Sequence, residues 1–232
     1  MPPLDNEPAT DVAGDAVTSG TRTSARALAA RAAAAIRRIV PDRPAQSAQG
    51  RDSLTGLFDG RTLHEALATA VADAEQRGDD VGLLFLDLDH FKRINDRHGH
   101  QAGSRILRQV AALFQTAASD AGGFAARYGG DEFVLVLPGT DIDHAVGRAE
   151  LLRAGVASTL FPGGADAVSR PVVSLTCSIG AASLLRLPAA RTDSGESAAA
   201  RLLRRADDAM YSAKRAGRNR VMALDARAAG VA

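Results

Sequence analysis

The 232-residue sequence has one cysteine and no tryptophan, and aromatic residues make up only 4% of it. The single cysteine, Cys177, excludes a framework of intramolecular disulfides and is typical of a protein from a reducing compartment. We therefore expect a cytoplasmic protein in which Cys177 is a buried, inert thiol. Apolar residues still reach 46% of the chain, so its core must be mainly aliphatic.

Other features are missing as well. No apolar run approaches the roughly 20 residues that cross a bilayer, and the acidic N-terminal stretch lacks a secretory core. The formal net charge is only +1, which gives no electrostatic signal for a nucleic-acid partner. No Gly-x-x-x-x-Gly-Lys phosphate loop occurs, which disfavours a P-loop kinase or ATPase. We therefore expect a protein that neither inserts into a membrane nor binds nucleic acid.

Composition divides the chain into four parts. Residues 1–21 are rich in Pro, Gly, Thr and Asp without periodicity, which predicts a disordered tail. Residues 22–50 form an Ala/Arg-rich helix and a linker, and that helix either promotes dimerisation or signal transmission or is a plain surface helix. Residues 51–225 form the main domain and 226–232 a tail. No recognisable sensor precedes the domain, so the upstream sensor is unknown.

Apolar periodicity within the domain predicts an alternation of helices and strands. The first helix should begin at a Thr62–Glu65 capping box and end at Gly78. Flanking helices and a mixed sheet with one hairpin predict the α+β (mixed α/β) class. The predicted elements are helix 62–77, strand 81–88, helix 91–97, a turn at 99–103, helix 105–117, hairpin 124–137, helix 141–160, strand 172–182, helix 196–216 and a short strand near Val221.

The most informative segment is Arg127–Phe133, which reads Arg-Tyr-Gly-Gly-Asp-Glu-Phe. Two glycines between strand-like runs predict a β-hairpin with a two-residue turn. Because glycine has no side chain, another molecule can closely approach such a turn. Asp131 and Glu132 should therefore lie at its rim, beside open space.

A second acidic pair follows the almost continuously apolar run 81–87, which is typical of a central strand buried on both faces. Asp87 and Asp89 are two residues apart and so lie on the same side of an extended chain. They could simply cap the strand in water. Acids at the end of a buried strand are costly, however, unless they are paired, hydrogen-bonded or bound to metal. A magnesium–triphosphate site fits better, because hard cations prefer carboxylate and carbonyl oxygens.

Four sequence blocks stand out, namely Asp52–Leu57, Leu86–Asp96 with Gly99–Gly103, Arg127–Phe133 and Ala206–Asn219. In content, order and spacing they resemble the GGDEF family of bacterial enzymes, which condense two nucleoside triphosphates into a cyclic dinucleotide. The resemblance implies a diguanylate cyclase that works as a homodimer, with a ferredoxin-like, polymerase-palm or nucleotidyl-cyclase-type core whose central mixed sheet is flanked by helices.

The resemblance implies roles for the acids. Asp87, Asp131 and the backbone carbonyl of Leu88 would hold Mg²⁺ or Mn²⁺ in two-metal phosphoryl transfer. Asp131 or Glu132 would assist deprotonation of the attacking 3′-hydroxyl, and the sequence does not decide between them. Glu132 could instead be a surface acid that pairs with a nearby base.

The triphosphate needs positively polarised partners. His90, Phe91 and Lys92 begin a short helix, whose free backbone N–H groups form an anion site. The resemblance adds Lys214 and Arg218, four residues apart on the last helix, as triphosphate ligands. Without the resemblance, Lys214 and Arg218 would be interpreted as a solvated, basic helix end that the helix dipole favours.

Base recognition is where the chain departs from the family pattern. The family reads guanine with an asparagine, here Asn95, and an aspartate that is Ser104 here. A carboxylate accepts both the N1–H and the 2-amino hydrogens of guanine, whereas a hydroxyl donates or accepts and discriminates weakly. A hybrid promiscuous subgroup with serine here makes cyclic GMP-AMP, so we expect use of GTP and also ATP. Ser104 is equally predicted as the N-cap of the helix at 105–117.

A second departure concerns regulation, and a rival reading concerns activity. The family's product-inhibition motif, Arg-x-x-Asp, is replaced by Asp120–Gly123, so we expect no such inhibitory site. The chain could also be a degenerate GGDEF module that binds nucleotides or a protein partner without catalysis. Degenerate members usually lose the hairpin acids, whereas this chain keeps Asp131 and Glu132. A palm-type polymerase or mononucleotide cyclase explains the four blocks less well.

Overall fold

A computed structural model describes residues 50–162, 172–188 and 195–224. The predicted tail 1–21, almost all of the helix and linker 22–50, and the tail 226–232 lie outside the described residues. The helices are α1 (Gly60–Arg77), α2 (Phe91–His98), α3 (His100–Asp120), α4 (Ile142–Ser158) and α5 (Ala198–Arg215), with a 3₁₀ turn at Leu184–Arg186. The strands are β1 (Val81–Leu88), β2 (Phe124–Arg127), β3 (Glu132–Pro138), β4 (Leu160–Pro162), β5 (Val172–Ser174), β6 (Cys177–Ser183) and β7 (Val221–Ala223).

A five-stranded sheet in the order β2-β3-β1-β6-β7 forms the centre of the fold. β1 is antiparallel to both neighbours, β3 and β6, while β7 runs parallel to β6. Every residue of β1 is buried, as its unbroken apolar run predicted. β4 and β5 form a separate two-stranded sheet. The predicted class, a mixed sheet flanked by helices, is confirmed.

Helices cover both faces of the sheet. Alternate residues of β1 point to opposite faces, so β1 contributes to a core on each side. Leu84 and Leu86 pack with α3 and α4, whereas Leu83 and Phe85 pack with α1 and α5. Cys177 is buried as predicted, and burial raises the pKa of its thiol to about 12. Within the described ranges, no helix is both long and apolar enough to cross a membrane.

Two predicted helix starts are wrong. α1 begins at Gly60 because the Asp59 side chain, not Thr62, caps it by accepting a hydrogen bond from the Thr62 N–H. α3 begins at His100, since Gly99 alone makes the turn with φ 80°. The predicted turn at 99–103 is therefore mostly helix. Ser104 lies inside the first turns of α3 and is not its N-cap.

The predicted strand 172–182 is also wrong, because it is two strands. β5 pairs with β4 in the small sheet, whereas β6 pairs with β1 in the large one. The chain changes sheets at 175–176, where the Thr176 carbonyl accepts a hydrogen bond from the Asp89 N–H. The remaining helices, the hairpin and the strand at Val221 agree with their predicted positions to within two residues.

The last helix packs unusually close to the sheet. At Gly180 in β6, an added Cβ would lie 2.0 Å from the Ala206 carbonyl oxygen and 2.2 Å from the Met210 nitrogen. Both contacts are with the α5 backbone, which cannot move aside as a flexible side chain can. Glycine at this position therefore sets the depth of α5 and of Lys214, which α5 carries.

We expect Gly180→Ala to lower the free energy of unfolding by about 1–3 kcal/mol, the usual cost of overpacking a core. Gly147→Ala in α4 is a matched control, because an added Cβ meets no atom within 4 Å there. That change should stabilise the protein by about 1 kcal/mol, as alanine is the better helix former. Urea denaturation measures both, and equal midpoints for Gly180→Ala and the wild type would contradict the close packing.

Candidate active site

Three of the four acids singled out in the sequence converge at one end of the central sheet. Asp87, near the end of β1, pairs in register with Glu132 at the start of β3. Asp131 precedes Glu132, and its carbonyl accepts a hydrogen bond from the Leu88 N–H at 3.2 Å. The hairpin turn is thus joined by its backbone to the end of β1.

The hairpin turn is one residue longer than predicted. The Tyr128 N–H donates to the Glu132 carbonyl at 2.9 Å, and the Gly129 N–H donates to the same oxygen at 3.3 Å. Gly129, Gly130 and Asp131 therefore form the turn. Gly130 is exposed, while Asp131 and Glu132 are half-buried, so the acids lie at its rim as predicted.

A lysine from α5 completes this end of the sheet. The Lys214 Nζ lies 2.7 Å from Oδ2 of Asp87, whose residue surface is only 8% exposed. Burial, reinforced by the charges of Asp131 and Glu132, raises the pKa of Asp87 to about 6, although Lys214 acts to lower it. Burial also raises the pKa of Glu132, with Lys214 opposing and Asp131 and Asp207 reinforcing the change. The site therefore has more negative charge than one lysine neutralises.

This charge excess bears on metal binding. Among the residues that the structure describes, no three His, Cys, Asp or Glu side chains form a ready-made metal cluster. Mg²⁺ usually takes only one or two carboxylates from the protein and its other ligands from water and substrate phosphates. Asp87, Asp131 and the Leu88 carbonyl fit a cation that arrives with a phosphate ligand better than one held by protein alone.

The structure separates the two acids that the sequence grouped at the end of β1. Asp89 is 5% exposed, and protein donors occupy both of its oxygens. Thr176 Oγ1 and the Asn219 N–H donate to Oδ2 at 2.7 and 3.0 Å, and Ser178 Oγ donates to Oδ1 at 2.7 Å. Asp89 therefore connects three segments of the fold and does not share the environment of Asp87.

A cleft of about 530 Å³ opens beside the hairpin turn. Its lining includes five residues that the sequence marked for substrate, metal or catalysis, namely Phe91, Lys92, Asn95, Ser104 and Asp131. Lys214 and Arg218 do not line this cleft. His90 has φ 58° and directly precedes α2, whose first N–H groups are free of helical partners.

α2 packs closely on α3 beside Asn95. A Cβ added to Gly103 would lie 1.9 Å from the Asn95 Oδ1, so a larger residue at 103 would displace the end of this side chain. Ser104, one residue further, is half-buried in the same cleft. Because Gly99 occupies the cap position, the Ser104 hydroxyl is not needed to cap the helix.

Arg218 is not on the last helix, contrary to the prediction. α5 ends at Arg215, with Lys214 in its last turn, and Arg218 lies in the following turn with φ 63°. The two residues therefore do not share a helix face. Arg218 is exposed, and its guanidinium has no hydrogen-bond partner within the described ranges.

An ion pair that sequence reasoning missed supports the hairpin turn. Nη1 of Arg127 lies 3.1 Å from both carboxylate oxygens of Asp52, and Nη2 donates to the Gly130 carbonyl at 2.6 Å. Thr55 donates to Asp52 through its N–H and its hydroxyl. Both partners lie within recognised blocks, but nothing in the sequence shows that they meet.

Comparison with known proteins identifies the family. The family description "Diguanylate cyclase, GGDEF domain" matches residues 49–220. The chain belongs to the GGDEF family. Diguanylate cyclase DgcP of Pseudomonas aeruginosa is 39% identical over 170 residues, covering 73% of this chain and 23% of the relative. Diguanylate cyclase DosC of Escherichia coli K12 is 37% identical over 174 residues, covering 74% and 34%. The chain thus spans less than two thirds of these relatives.

Solved GGDEF domains share the fold. The GGDEF domain of DgcB from Caulobacter crescentus, in complex with c-di-GMP, has a TM-score of 0.66 at 34% identity, covering 78% of this chain and 97% of that one. The active GGEEF domain of a diguanylate cyclase from Vibrio cholerae has a TM-score of 0.60 at 32% identity, covering 72% and 97%. The predicted family and its palm-type nucleotidyl cyclase fold are confirmed.

The Asp52–Arg127 pair gives a prediction for this GGDEF domain. We expect Asp52→Ala to lower the free energy of unfolding by about 1.5–3 kcal/mol, because it leaves a largely buried arginine without its charged partner. Amide hydrogen exchange at Gly129 and Gly130 should become faster, since Arg127 loses the anchor from which it holds the turn. Asp79→Ala is the control, because its pair with Arg77 is more exposed and worth less than about 1 kcal/mol.

The same pair should depend on pH. Burial acts to raise the pKa of Asp52, but hydrogen bonds from Thr55 and the pairing with Arg127 outweigh it, and the pKa is lowered. A lowered pKa in the folded state stabilises the protein at neutral pH, and this contribution disappears as the pH falls through the folded-state pKa. Wild type and Asp52→Ala should therefore converge in stability at acidic pH. A constant difference down to acidic pH would contradict the ionic role.

Proposed function

We propose that this chain is a dinucleotide cyclase of the diguanylate cyclase type. It condenses two nucleoside triphosphates into a 3′,5′-cyclic dinucleotide and releases two pyrophosphates. The observation that carries the proposal is the convergence of Asp87, Asp131 and Glu132 at one end of the sheet. Of these acids, Asp131 also lines the cleft that contains Asn95 and Ser104. Two relatives over 35% identical are named diguanylate cyclases, and a domain of the same fold binds c-di-GMP.

The nucleotide would bind across the two sides of the hairpin turn. Its base enters the cleft between α2 and α3, where Asn95 and Ser104 offer hydrogen bonds. Its triphosphate runs past the start of α2, where the backbone N–H groups after His90, together with Lys92, attract anions. The phosphates end near Lys214 at the end of α5 and Arg218 in the turn that follows it.

Asp87, Asp131 and the Leu88 carbonyl would hold Mg²⁺ or Mn²⁺ together with the phosphates. When bound, the cations polarise the α-phosphate and stabilise the leaving pyrophosphate. Without nucleotide, Lys214 balances Asp87 at 2.7 Å. With cation and triphosphate present, Asp87 no longer needs the lysine, and the ammonium group can turn to a phosphate oxygen.

In the reaction, the 3′-hydroxyl of one nucleotide attacks the α-phosphorus of the other. The new P–O bond forms as the bond to pyrophosphate breaks, and Asp131 or Glu132 accepts the hydroxyl proton. One domain binds one triphosphate, so two domains must face each other across a two-fold axis for both bonds to form. A homodimer, at least a transient one, is therefore part of the proposal.

The decisive experiment incubates the protein with GTP and Mg²⁺ and identifies the product by mass spectrometry. Asp131→Ala should abolish cyclic dinucleotide formation and leave the melting temperature nearly unchanged, because the side chain lies half-exposed in a turn. Asp120→Ala, an exposed acid at the end of α3, is the control and should keep full activity.

The outcomes separate the two readings of this family member. Full turnover by folded Asp131→Ala would eliminate the assigned role of that residue. A wild-type protein that binds GTP in calorimetry but forms no product at any protein concentration would instead be a non-catalytic binding module. Rising specific activity with protein concentration would support assembly of the site from two domains.

Base choice should depend on Ser104. With GTP and ATP together, we expect cyclic GMP-AMP as well as cyclic di-GMP, because a hydroxyl can pair with either purine. Ser104→Asp should shift the product to cyclic di-GMP, since a carboxylate pairs with guanine and faces the adenine ring nitrogen unpaired. Leaving such a group unpaired costs about 1–3 kcal/mol, or roughly tenfold to more than a hundredfold in discrimination.

The matched control for base choice is Ser104→Ala, which removes the hydroxyl but adds no charge. It should lower the rates with both nucleotides without favouring either one. Exclusive formation of cyclic di-GMP by the wild type, even with ATP in excess, would contradict relaxed base specificity.

A further inference from the structure

Asp89 is the one acid of the β1 end that the proposed chemistry does not use, yet it is among the most buried. It is 5% exposed, and both of its oxygens accept hydrogen bonds. Two donors, Thr176 and Ser178, belong to the segment that begins β6. The third is the backbone N–H of Asn219, in the turn after α5. Asp89 therefore fastens that turn to the sheet.

The turn held in this way has a strained backbone. Arg218 has φ 63° and Asn219 has φ 44°, and two consecutive non-glycine residues in this region are uncommon. Such conformations cost about 1–3 kcal/mol each and persist only where surrounding contacts enforce them. Asparagine tolerates the region better than most residues, but arginine has no such tolerance. Strain at Arg218 therefore needs a compensating set of contacts.

Those contacts fix the Arg218 backbone on both sides. Its N–H donates to the Ala213 carbonyl at 3.0 Å, and its carbonyl accepts a hydrogen bond from Arg220 Nε at 3.1 Å. The next N–H, of Asn219, donates to Asp89, while Arg153 from α4 donates to the Asn219 Oδ1 at 2.9 Å. The backbone is held tightly, yet the Arg218 guanidinium remains exposed and without a partner in the described part of the chain.

We propose that Asp89 is a positioning residue, which holds the strained Arg218–Asn219 turn and thereby presents the Arg218 guanidinium to the triphosphate. This inference rests on the proposed function in that it takes the ligand of Arg218 to be a phosphate group. A guanidinium on a fixed backbone loses less conformational freedom on binding than one on a mobile loop. The buried Asp89 carboxylate thus contributes to phosphate affinity without touching substrate.

The turn can be released at its exposed end without removing the buried acid. Asn219→Pro removes the N–H that donates a hydrogen bond to Asp89. It also fixes φ of residue 219 near −65°, so the strained conformation is lost. Asp89 keeps its hydrogen bonds from Thr176 and Ser178, so the buried carboxylate still has partners on the sheet. Asn219→Gly is the matched control, because glycine keeps the N–H and adopts positive φ freely, losing only the contact with Arg153.

Binding of a non-hydrolysable GTP analogue and of guanosine should be measured by calorimetry for each full-length variant. Asn219→Pro should weaken the GTP analogue about tenfold, the usual worth of one charge-assisted hydrogen bond, and leave guanosine unchanged. Asn219→Gly should change neither ligand by more than about threefold. Equal weakening of both ligands would show general damage to the site and overturn the positioning role.

The role of Asp89 itself is tested with Asp89→Asn and Asp89→Ala. The amide keeps an oxygen for Thr176 and Asn219 and can donate to the Ser178 hydroxyl, so Asp89→Asn should bind the GTP analogue nearly as wild type does. Asp89→Ala, where it folds, should lose affinity as Asn219→Pro does. Wild-type affinity of folded Asp89→Ala would overturn the proposal.

Arg218→Ala separates this inference from the proposed function. If Arg218 binds phosphate, Arg218→Ala alone weakens the GTP analogue, and Asn219→Pro adds nothing further in that background, because both act through one contact. If Arg218→Ala has no effect, the phosphate role of Arg218 itself fails. If it weakens binding while Asn219→Pro does not, only the positioning role of Asp89 fails.

Discussion

The ion pair between Asp87 and Lys214 is the interaction on which the site depends. It joins the end of the central strand to the last helix at 2.7 Å, in a place that removes the carboxylate almost completely from water. Taking two charges out of water costs several kcal/mol per ion before their attraction repays it, so such pairs are poor stabilisers. Burial raises the pKa of Asp87 to about 6 although Lys214 lowers it, so the attraction between the two charges offsets the burial only in part. The pair therefore suits the proposed phosphate chemistry better than a purely stabilising role.

The two aspartates at the end of β1 show how neighbours, and not residue type, decide a role. The period of an extended strand places residues two apart on one side, and this rule grouped Asp87 with Asp89. β1 ends at Leu88, however, so the rule no longer applies at Asp89. Asp87 lies near Lys214 and two further acids, whereas Asp89 accepts hydrogen bonds from two hydroxyls and an N–H. Asp87 therefore lies among charged groups, whereas neutral donors occupy the oxygens of Asp89.

The sequence predicted what depends on local patterns. β1 follows from an unbroken apolar run, the hairpin from two glycines between strands, and the membership of Asn95 and Ser104 in one cleft from the family blocks. What it could not predict depends on contacts between distant residues. Asp52 and Arg127 are 75 residues apart, and no periodicity connects them. The positive φ of Arg218 was equally hidden, because arginine gives no signal of a left-handed turn.

Under the proposed function, base recognition and phosphate binding would depend on different parts of this fold. Asn95 and Ser104 lie on α2 and α3, which are held together at Gly103. Lys214 and Arg218 lie on α5 and its following turn, which are held by Gly180 and Asp89. Asp131 lines the cleft with Asn95 and Ser104, while Lys214 pairs with Asp87 at the adjoining end of β1. Because Ser104 does not cap its helix, its side chain can change without disturbing either the helix start or the phosphate ligands. A cyclase built in this way can alter which purine it accepts while its phosphate chemistry stays the same.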